Sequence, residues 1–441
     1  MKIYLFLLLS ILIVTSVYSQ RPYVLEGATV IDGIRNRPID SAYVVIEGRK
    51  IIGVGKRNQV IIPEHAERID VRGTYIIPGL IDAHIHYETP RDLVQLLAWG
   101  VTSANCMFES TDQAKKMEEQ TAGDTAHAPQ LYATAPIFTT EGGWWWGKEF
   151  PIDSMIDRFS KTPDEAREQI RKVKAKGFKR IKLMYDNMDW CRNPLQPFEK
   201  MRLDVMQALL DEAQKQRLFT EVHAPKLQDA REALDAGAFA FVHGIIDERI
   251  DAVFITTMFE SEKFYVPTFC VFEFLADVEG FMKHVLADDR FRSALSPDVV
   301  TRYTSTEYYT RYRERYPNIE YVKSHLPILR ENLTKMAENY ILIAMGTDMW
   351  AFPGIAAHLE LEYMVQAGLT PLQAIVTATS LAALFLGEAN RVGSIEPGTR
   401  ADLLILEGNP LEDIRNTRKI KTIIKHGKFF DQKKLIEESK R

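Results

Sequence analysis

The chain has 441 residues, and at roughly 150 residues per domain it suggests two or three units or one large barrel with a satellite domain. Its composition, 46% hydrophobic and 26% charged, excludes a disordered, collagen-like or coiled-coil protein. Lys and Arg number 55 against 60 Asp and Glu, and the resulting net charge of −5 argues against a nucleic-acid-binding protein.

Residues 1–19 have the pattern of a secretory signal peptide. Lys2 precedes an apolar run over residues 3–14, and small residues follow it. The run is shorter than the roughly 20 residues of a spanning helix, so a cleaved signal is favoured over an N-terminal anchor. The mature chain is therefore predicted to begin at Gln20, to lack a membrane span and to be periplasmic or secreted. The cysteines allow at most one disulfide, and they are Cys106, Cys191 and Cys270.

Short β-rich runs at both chain ends predict one small β-sandwich domain, formed by residues 20–77 and 388–441. In the first segment, residues 43–46 and 50–54 flank a Glu-Gly pair and are typical of a hairpin. The second segment returns to short apolar runs separated by Gly and Asn-Pro. Two β segments on either side of a long middle region can pack as one layered unit.

The middle region, residues 78–387, alternates short apolar strands with amphipathic helices. Thr162 and Thr370 each precede Pro and are followed three residues later by Glu or Gln, which predicts two helix starts. Eight predicted strands cover residues 80–86, 101–106, 131–135, 180–185, 219–223, 240–243, 265–269 and 341–346. This pattern predicts an α/β fold, a (β/α)₈ TIM-type barrel, with a doubly wound open sheet as the alternative. Residues 271–321 are predicted to be a helical insertion.

Side chains able to bind a metal recur at the ends of these strands. His84 and His86 lie two apart on the first strand, so both imidazoles face the same side. The other candidates follow later strands, and they are Lys182, His223, His243 and Asp348. Each has an ordinary structural interpretation when taken alone. Because the carboxyl ends of barrel strands meet at one mouth, their shared placement predicts a metal site.

Two motifs resemble the metal-dependent amidohydrolase superfamily. The first is Pro78-Gly-Leu-Ile-Asp82-Ala-His84-Ile-His86, and the second is Gly393-Ser-Ile-Glu-Pro-Gly398-Thr-Arg-Ala401-Asp402-Leu-Leu. Within the superfamily, the chain is most similar to the branch of imidazolonepropionase and the amidohydrolase-type Xaa-Pro dipeptidases. The resemblance implies a barrel with a β domain from both chain ends and hydrolysis of a carbon–nitrogen bond.

The resemblance also implies two divalent ions bridged by a carboxylated Lys182. An ammonium group has no lone pair to offer a metal, whereas a neutral amine can react with carbon dioxide to give an anionic carbamate ligand. The hypothesis places one ion on His84 and His86 and the other on His223 and His243. Asp348 is then a ligand of the first ion. Zinc suits these ligands, and manganese or iron stays open.

The predicted reaction is hydrolysis of an amide bond in a dipeptide or N-acyl amino acid by a metal-activated hydroxide. Asp348 is the predicted catalytic residue, which takes a proton from water and delivers it to the leaving nitrogen. The alternatives are a mononuclear hydrolase of a cyclic amide, such as an imidazolone or lactam, and a non-catalytic metal-binding barrel. The expected partner is a small substrate rather than a nucleic acid, and a homo-oligomer stays open.

Candidate substrate contacts lie in the loops that follow the first and third strands. Trp144 and Trp145 belong to a run of three tryptophans, where relatives often have Gly-Gly-His. Together with Tyr87 they could form an apolar wall for an aromatic or proline-like group, or they could pack beneath the insertion. The difference from the relatives leaves the substrate side chain open.

Overall fold

The computed structural model describes residues 21–107, 111–124, 126–144 and 158–440. The predicted signal peptide and Trp145 lie outside this part of the chain. The strands within it are β1 Tyr23–Val30, β2 Ile39–Glu47, β3 Lys50–Gly55, β4 Glu67–Asp70, β5 Tyr75–Pro78, β6 Leu80–Ile85, β7 Val101–Cys106, β8 Gln130–Ala133, β9 Ala135–Phe138, β10 Arg180–Met184, β11 Phe219–His223, β12 Ala240–Val242, β13 Phe264–Val266, β14 Leu342–Ile343, β15 Leu403–Leu406, β16 Ile420–Lys425 and β17 Lys428–Phe430.

The helices connect most of these strands and cover their outer faces. They are α1 Pro90–Ala98, α2 Thr111–Thr121, α3 Pro163–Ala175, α4 Leu203–Lys215, α5 Leu227–Asp235, α6 Ala252–Glu260, α7 Phe269–Ala276, α8 Val278–Ala287, α9 Asp289–Ala294, α10 Pro297–Thr304, α11 Thr306–Arg315, α12 Ile319–Glu338, α13 Ile355–Gln366, α14 Pro371–Thr377, α15 Ser380–Leu386 and α16 Gln432–Ser439. The starts predicted at Thr162 and Thr370 are confirmed, because each hydroxyl accepts the backbone N–H of the residue three positions later. Among the described residues, no helix combines the length and the apolar character that crossing a membrane requires.

Both chain ends contribute strands to one mixed sheet. Its order is β17-β16-β15-β5-β1-β2-β3, with β4 also paired to β1. The connection between the two ends is the antiparallel pairing of β15 with β5, in which Leu404 lies opposite Ile77. Buried aliphatic side chains cover the sheet, including Leu25, Val44 and Leu403. The N-terminal and C-terminal segments are therefore interdependent in folding, since neither completes this sheet alone.

Parallel strands of the middle region form two sheets that hold the candidate site. One has the order β14-β13-β12-β11-β10-β9, and the other has the order β6-β7-β8. The backbone N–H of Ala83 donates to the carbonyl of Met345 at 2.8 Å, which connects β6 to the segment just after β14. These strands are short, and most of their side chains are buried on both faces, polar ones included, as expected for parallel strands covered by helices. This is an α/β architecture of TIM-barrel type.

The third predicted strand, residues 131–135, is wrong in its extent. The structure divides it into β8 and β9, which pair with β7 and β10 respectively. Thr134 lies between them, and its hydroxyl donates to Oδ1 of Asn105 at 3.0 Å. At Thr134 the chain stops pairing with β7 and begins to pair with β10. The pattern of apolar residues does not indicate such a change of partner strand. The eighth predicted strand is also shorter than expected, because only Leu342 and Ile343 belong to β14.

The segment after β13 is helical, as its sequence indicates. Helices α7 to α11 follow one another with short connections, and α12 then runs on to Glu338. Buried tyrosines hold these helices together, and Tyr312 packs its ring 5.6 Å from that of Phe274. The hydroxyl of Tyr312 donates to the carbonyl of Phe274 at 3.2 Å. The boundaries proposed for the domains and for the insertion stay a prediction.

Candidate metal centre

Two histidines and an aspartate converge at the carboxyl end of β6. Nε2 of His84 lies 3.0 Å from Oδ1 of Asp348, and Nε2 of His86 lies 2.9 Å from the same oxygen. The two Nε2 atoms are 3.3 Å apart. The pleat of β6 sends both imidazoles to one side, and the turn after β14 brings Asp348 opposite them.

The remaining predicted ligands line the same cavity. Nδ1 of His243 lies 3.6 Å from Oδ2 of Asp348, and the ring of His223 lies 4.3 Å from that of His243, measured between centroids. Lys182 is only 2% exposed, and its Nζ lies 3.8 Å from Sδ of Met107. All six predicted ligands therefore border a single space, and they are His84, His86, Lys182, His223, His243 and Asp348.

Backbone geometry at the site is unusual. The φ values of His243, Thr268 and Asp348 are 79°, 50° and 54°. They fall in the left-handed region, which residues other than glycine seldom adopt. Asp82 stabilises the turn before Asp348, because its Oδ1 accepts the N–H of Thr347 at 3.1 Å and its Oδ2 accepts the Thr347 hydroxyl at 2.8 Å. These contacts orient the carboxylate of Asp348 towards the histidines.

Burial favours the neutral forms of the histidines and the lysine. It lowers the pKa of His84 to about 3, against the opposing charge of Asp348. Burial likewise lowers the pKa of His243 well below its usual value, with a further contribution from His223. The pKa of Lys182 falls to about 8 because of burial, although Asp348 and Glu221 act in the opposite direction. Neutral imidazoles and a readily deprotonated amine are the forms that metal binding and carbamate formation require.

The residues present fit a divalent cation. The ligand atoms of His84, His243 and Asp348 all lie within 4.8 Å of one another. In His84, Nε2 is the ring nitrogen that faces Asp348. The other nitrogen, Nδ1, is buried and has no hydrogen-bond partner among the described residues. Imidazole nitrogens and carboxylate oxygens are the ligand types preferred by zinc and similar ions.

An open cavity of about 940 Å³ lies in front of these ligands. Its walls include the predicted substrate contacts Tyr87 and Trp144, both half-buried, whereas Trp145 is outside the described residues. Trp144 packs against Phe198 with ring centroids 5.1 Å apart. Helices α10 and α11 also line the cavity, so the helical segment after β13 borders the site.

Arginines at the cavity differ in how their charge is balanced. Arg302 lies 3.6 Å from Glu88, and Arg311 lies 2.7 Å from Glu307. Arg315 also lines the cavity, but no carboxylate in the described part of the chain pairs with it. Its guanidinium lies 5.8 Å from the ring centroid of Trp144. Among the described residues, Arg315 therefore offers an exposed positive charge without a carboxylate partner beside the Trp144 ring.

The loop after β10 contacts the end of α11 and the start of α12. Nδ2 of Asn318 donates to the carbonyls of Asp189 and Trp190, each at 3.1 Å. The guanidinium of Arg192 lies 4.1 Å from the ring centroid of Trp144 and donates to the carbonyl of Arg315. One loop thus connects the strand that carries Lys182 with the helices that cover the cavity.

Sequence reasoning missed two polar residues that contact the histidines. Asp186 places Oδ2 3.2 Å from Nε2 of His223, and Thr268 places its hydroxyl 3.0 Å from Nδ1 of His243. Asp186 follows a strand end, as the predicted ligands do, and that position was a usable signal. Thr268 gave no signal, because its left-handed backbone cannot be read from the sequence around it.

Comparison with known proteins identifies the family. The amidohydrolase family model matches residues 75–430. The chain therefore belongs to the amidohydrolase family, and it is a hydrolase that acts on carbon–nitrogen bonds. This finding confirms the family resemblance of the two motifs.

Similar proteins cover nearly the whole chain. The ochratoxinase of Aspergillus niger is 24% identical over 467 residues, which span 95% of this chain and 88% of that protein. A crystal structure of a Xaa-Pro dipeptidase with bound methionine has a TM-score of 0.73 and 22% identity, and the match covers 93% of this chain and 100% of the dipeptidase chain. The A. niger ochratoxinase crystal structure has a TM-score of 0.70 and 21% identity, covering 93% and 96% of the two chains. These structures share the fold.

Proposed function

We propose that this protein is an exported, metal-dependent amidohydrolase that cleaves the amide bond of a dipeptide or an N-acyl amino acid. The observation that carries the proposal is the convergence of His84, His86 and Asp348 beside His243 at the floor of a cavity. The names of the similar proteins, a Xaa-Pro dipeptidase and an ochratoxinase, support an amide substrate of this size.

The finer architecture belongs to the same proposal. We infer a closed (β/α)₈ barrel, supported by the hydrogen bond from Ala83 to Met345 and by the single residue between β8 and β9. The sheet shared by both chain ends supports a composite β-sandwich domain. The apolar segment at residues 3–14 supports export, and N-terminal sequencing of the mature protein tests it, with Gln20 expected as the first residue.

Two divalent ions, zinc in the first instance, are proposed as the cofactor. One ion would be held by His84, His86 and Asp348. The other would be held by His223 and His243, and carboxylated Lys182 would bind both. When bound, the ions lower the pKa of water and polarise the substrate carbonyl. The buried Lys182 supplies the amine that reacts with carbon dioxide, forming the N–C bond of the carbamate and releasing one proton to solvent.

Asp348 is the proposed proton carrier. Its carboxylate is partly exposed at the cavity floor, so it can accept the proton of the attacking water and deliver it to the leaving nitrogen. Burial acts to raise the pKa of Asp348, but the imidazoles of His84 and His243 lower it well below its usual value. The carboxylate is therefore ionised at neutral pH, which is the form that the proposed proton transfer from water requires.

The cavity walls support a substrate with a carboxylate and an apolar side group. Arg315 is placed to pair with the free carboxylate of an N-acyl amino acid, because its charge lacks an ionic partner in the described residues. Trp144 and Tyr87 provide apolar surface nearby.

The test is a panel of dipeptides and N-acyl amino acids, each paired with its C-terminal amide, assayed on protein loaded with zinc, manganese or iron. Hydrolysis of members with a free carboxylate, abolished by a chelator and restored by metal, is the expected result. Metal-loaded protein that hydrolyses no member would contradict the proposal.

A mononuclear hydrolase of a cyclic amide is the second candidate. It is favoured by the tight grouping of His84, His243 and Asp348, whose ligand atoms lie within 4.8 Å of one another and suit one ion. Metal analysis separates the two candidates, since about two ions per chain support a bridged pair and about one supports the alternative. An imidazolone and a lactam added to the substrate panel test the reaction.

A further inference from the structure

The loop after β10 places a buried carboxylate directly behind one of the candidate ligands. The side chain of Asp186 has 0% exposure, and its Oδ2 lies 3.2 Å from Nε2 of His223. Nε1 of Trp190 donates to the same oxygen at 2.8 Å. An indole nitrogen can only donate a hydrogen bond, so Oδ2 is an acceptor.

Asp186 is held in place from several sides. Nζ of Lys226 lies 3.6 Å from Oδ1 of Asp186 and also 3.1 Å from Asp189. The backbone N–H of Tyr185 donates to the carbonyl of His223 at 3.0 Å, which fixes the separation of the two segments. Oδ2 is thus directed at a single imidazole nitrogen, whereas Oδ1 makes no hydrogen bond among the described residues and has Lys226 as a nearby charge.

An acceptor at Nε2 determines which tautomer His223 adopts. A neutral imidazole carries its proton on one nitrogen and a lone pair on the other. With Nε2–H donating to Asp186, the lone pair lies on Nδ1, which makes no hydrogen bond within the described part of the chain. His223 lines the cavity, as do Lys182 and His243.

We propose that Asp186 is a positioning residue that holds His223 as its Nε2–H tautomer and so presents Nδ1 to the metal site. The inference rests on the proposed function, because it needs a metal for His223 to bind. Carboxylates that hold the second nitrogen of a ligating histidine orient the ring and strengthen its binding. Asp186 does not act as a ligand itself in this proposal, because it is not among the residues that line the cavity and its Oδ2 already faces His223 and Trp190.

The first test measures zinc affinity by competition with a chromophoric chelator, using the full chain. Asp186→Leu removes the acceptor and is expected to weaken binding at one site about 10- to 100-fold. Asp186→Asn keeps an acceptor oxygen and is expected to recover much of that loss. Asp189→Asn is the matched control, because it removes a carboxylate of the same loop and the same Lys226 contact without touching His223. It is expected to bind zinc as the wild type does.

The second test reads the tautomer of His223 without metal or substrate. Long-range ¹H–¹⁵N spectra of histidine-labelled, metal-free protein distinguish protonated from unprotonated ring nitrogens, and the signal lost in His223→Gln gives the assignment. The wild type is expected to show Nε2–H, and Asp186→Asn, which can donate as well as accept, is expected to show a mixture. This measurement decides the question even if Asp186→Leu does not fold.

The outcomes separate this inference from the proposed function. An Nδ1–H tautomer in the wild type, or wild-type zinc affinity in a folded Asp186→Leu, would overturn the positioning role while leaving the enzyme proposal intact. Complete loss of one ion in Asp186→Asn would also overturn it, because that result identifies Asp186 as a ligand. A wild-type protein that binds no divalent ion would overturn the proposed function and this inference together.

Discussion

Arg180 and Glu221 form a buried ion pair on neighbouring strands, two positions before the candidate ligands Lys182 and His223. Nε of Arg180 donates to Oε1 of Glu221 at 2.7 Å, and the two side chains are 3% and 0% exposed. Because residues two apart on a strand face the same side, the pair lies in the layer beneath the cavity floor. Asn105 completes this layer by donating to Glu221 at 3.1 Å.

Removing one member of this pair is expected to destabilise the protein strongly. Arg180→Met leaves a buried carboxylate without its partner, and the expected loss in the free energy of unfolding is about 3–5 kcal/mol. Denaturant titration measures it. The control is Glu331→Gln, which breaks the exposed pair of Arg249 and Glu331 and should cost less than about 1 kcal/mol. Equal effects of the two substitutions would contradict the buried-layer interpretation.

Asp348→Asn is expected to lower turnover by about 10²- to 10⁴-fold while the protein keeps its metal. Asparagine preserves the size of the side chain and tolerates the left-handed backbone at this position, where φ is 54°. The loss therefore reports proton transfer rather than strain. Steady-state kinetics and metal analysis on the same samples check the prediction, and near-normal turnover would remove Asp348 from the mechanism.

Carbon dioxide supplied during metal loading is expected to raise the metal content of the wild type but not of Lys182→Met. The buried amine of Lys182 can form a carbamate, whereas a thioether of similar length cannot. Metal loading with and without bicarbonate, followed by elemental analysis, tests this. A bicarbonate effect that persists in Lys182→Met would show that another group is responsible.

Arg315→Ala is expected to raise KM by about 10- to 100-fold for substrates with a free carboxylate, because a hydrogen bond to a charged group is worth about 1.5–3 kcal/mol. Amidated analogues should show little change. Arg311→Ala on the same helix is the matched control, since Arg311 is already paired with Glu307 at 2.7 Å. A similar rise in KM for both substrate types would assign Arg315 a structural role instead.

The free energy of unfolding is expected to fall as pH drops from about 6.5 to about 3, in part because of His358. Burial lowers the pKa of this histidine from 6.5 to about 3, and the nearby Arg418 lowers it further. Between these values the unfolded chain binds a proton that the folded chain does not, so acid favours unfolding by up to about 1.4 kcal/mol per pH unit.

His358→Gln should reduce this pH dependence, as measured by denaturant titration at several pH values. His358 is 1% exposed, with Nε2 2.9 Å from the carbonyl of Trp99 and Nδ1 3.0 Å from the Thr417 hydroxyl. These contacts suit a neutral ring. The matched control is His65→Gln, the same substitution at an exposed histidine. An unaltered slope in His358→Gln would contradict the assignment.

The parts of this molecule that could be predicted from sequence are those that depend on local periodicity. His84 and His86 are two residues apart, which places them on the same face of an extended segment. Thr162 starts a helix through a capping pattern confined to a few residues. The shared end of the parallel strands then allowed Asp348 to be associated with the histidines, and the structure places them in contact.

What could not be predicted depends on contacts between distant segments. The sequence marks Asp186 as a polar residue after a strand, but its contact with His223 is visible only in the structure. Arg315 becomes informative only when the nearby carboxylates are seen to pair with other arginines. The change of partner at Thr134 depends on which neighbouring strand lies nearer, and hydrophobicity does not encode that choice. The metal content, the substrate and the export of the chain stay predictions.

The attachment of the β10 loop to the end of α11 limits how new substrate ranges can arise in this protein. Asn318 and Arg192 join the two segments, so replacing the covering helices alone would leave donors and carbonyls of the loop without their partners. Because the same loop carries Asp186, such a graft would disturb His223 as well. A functional chimera therefore has to exchange the loop and the covering helices as one module.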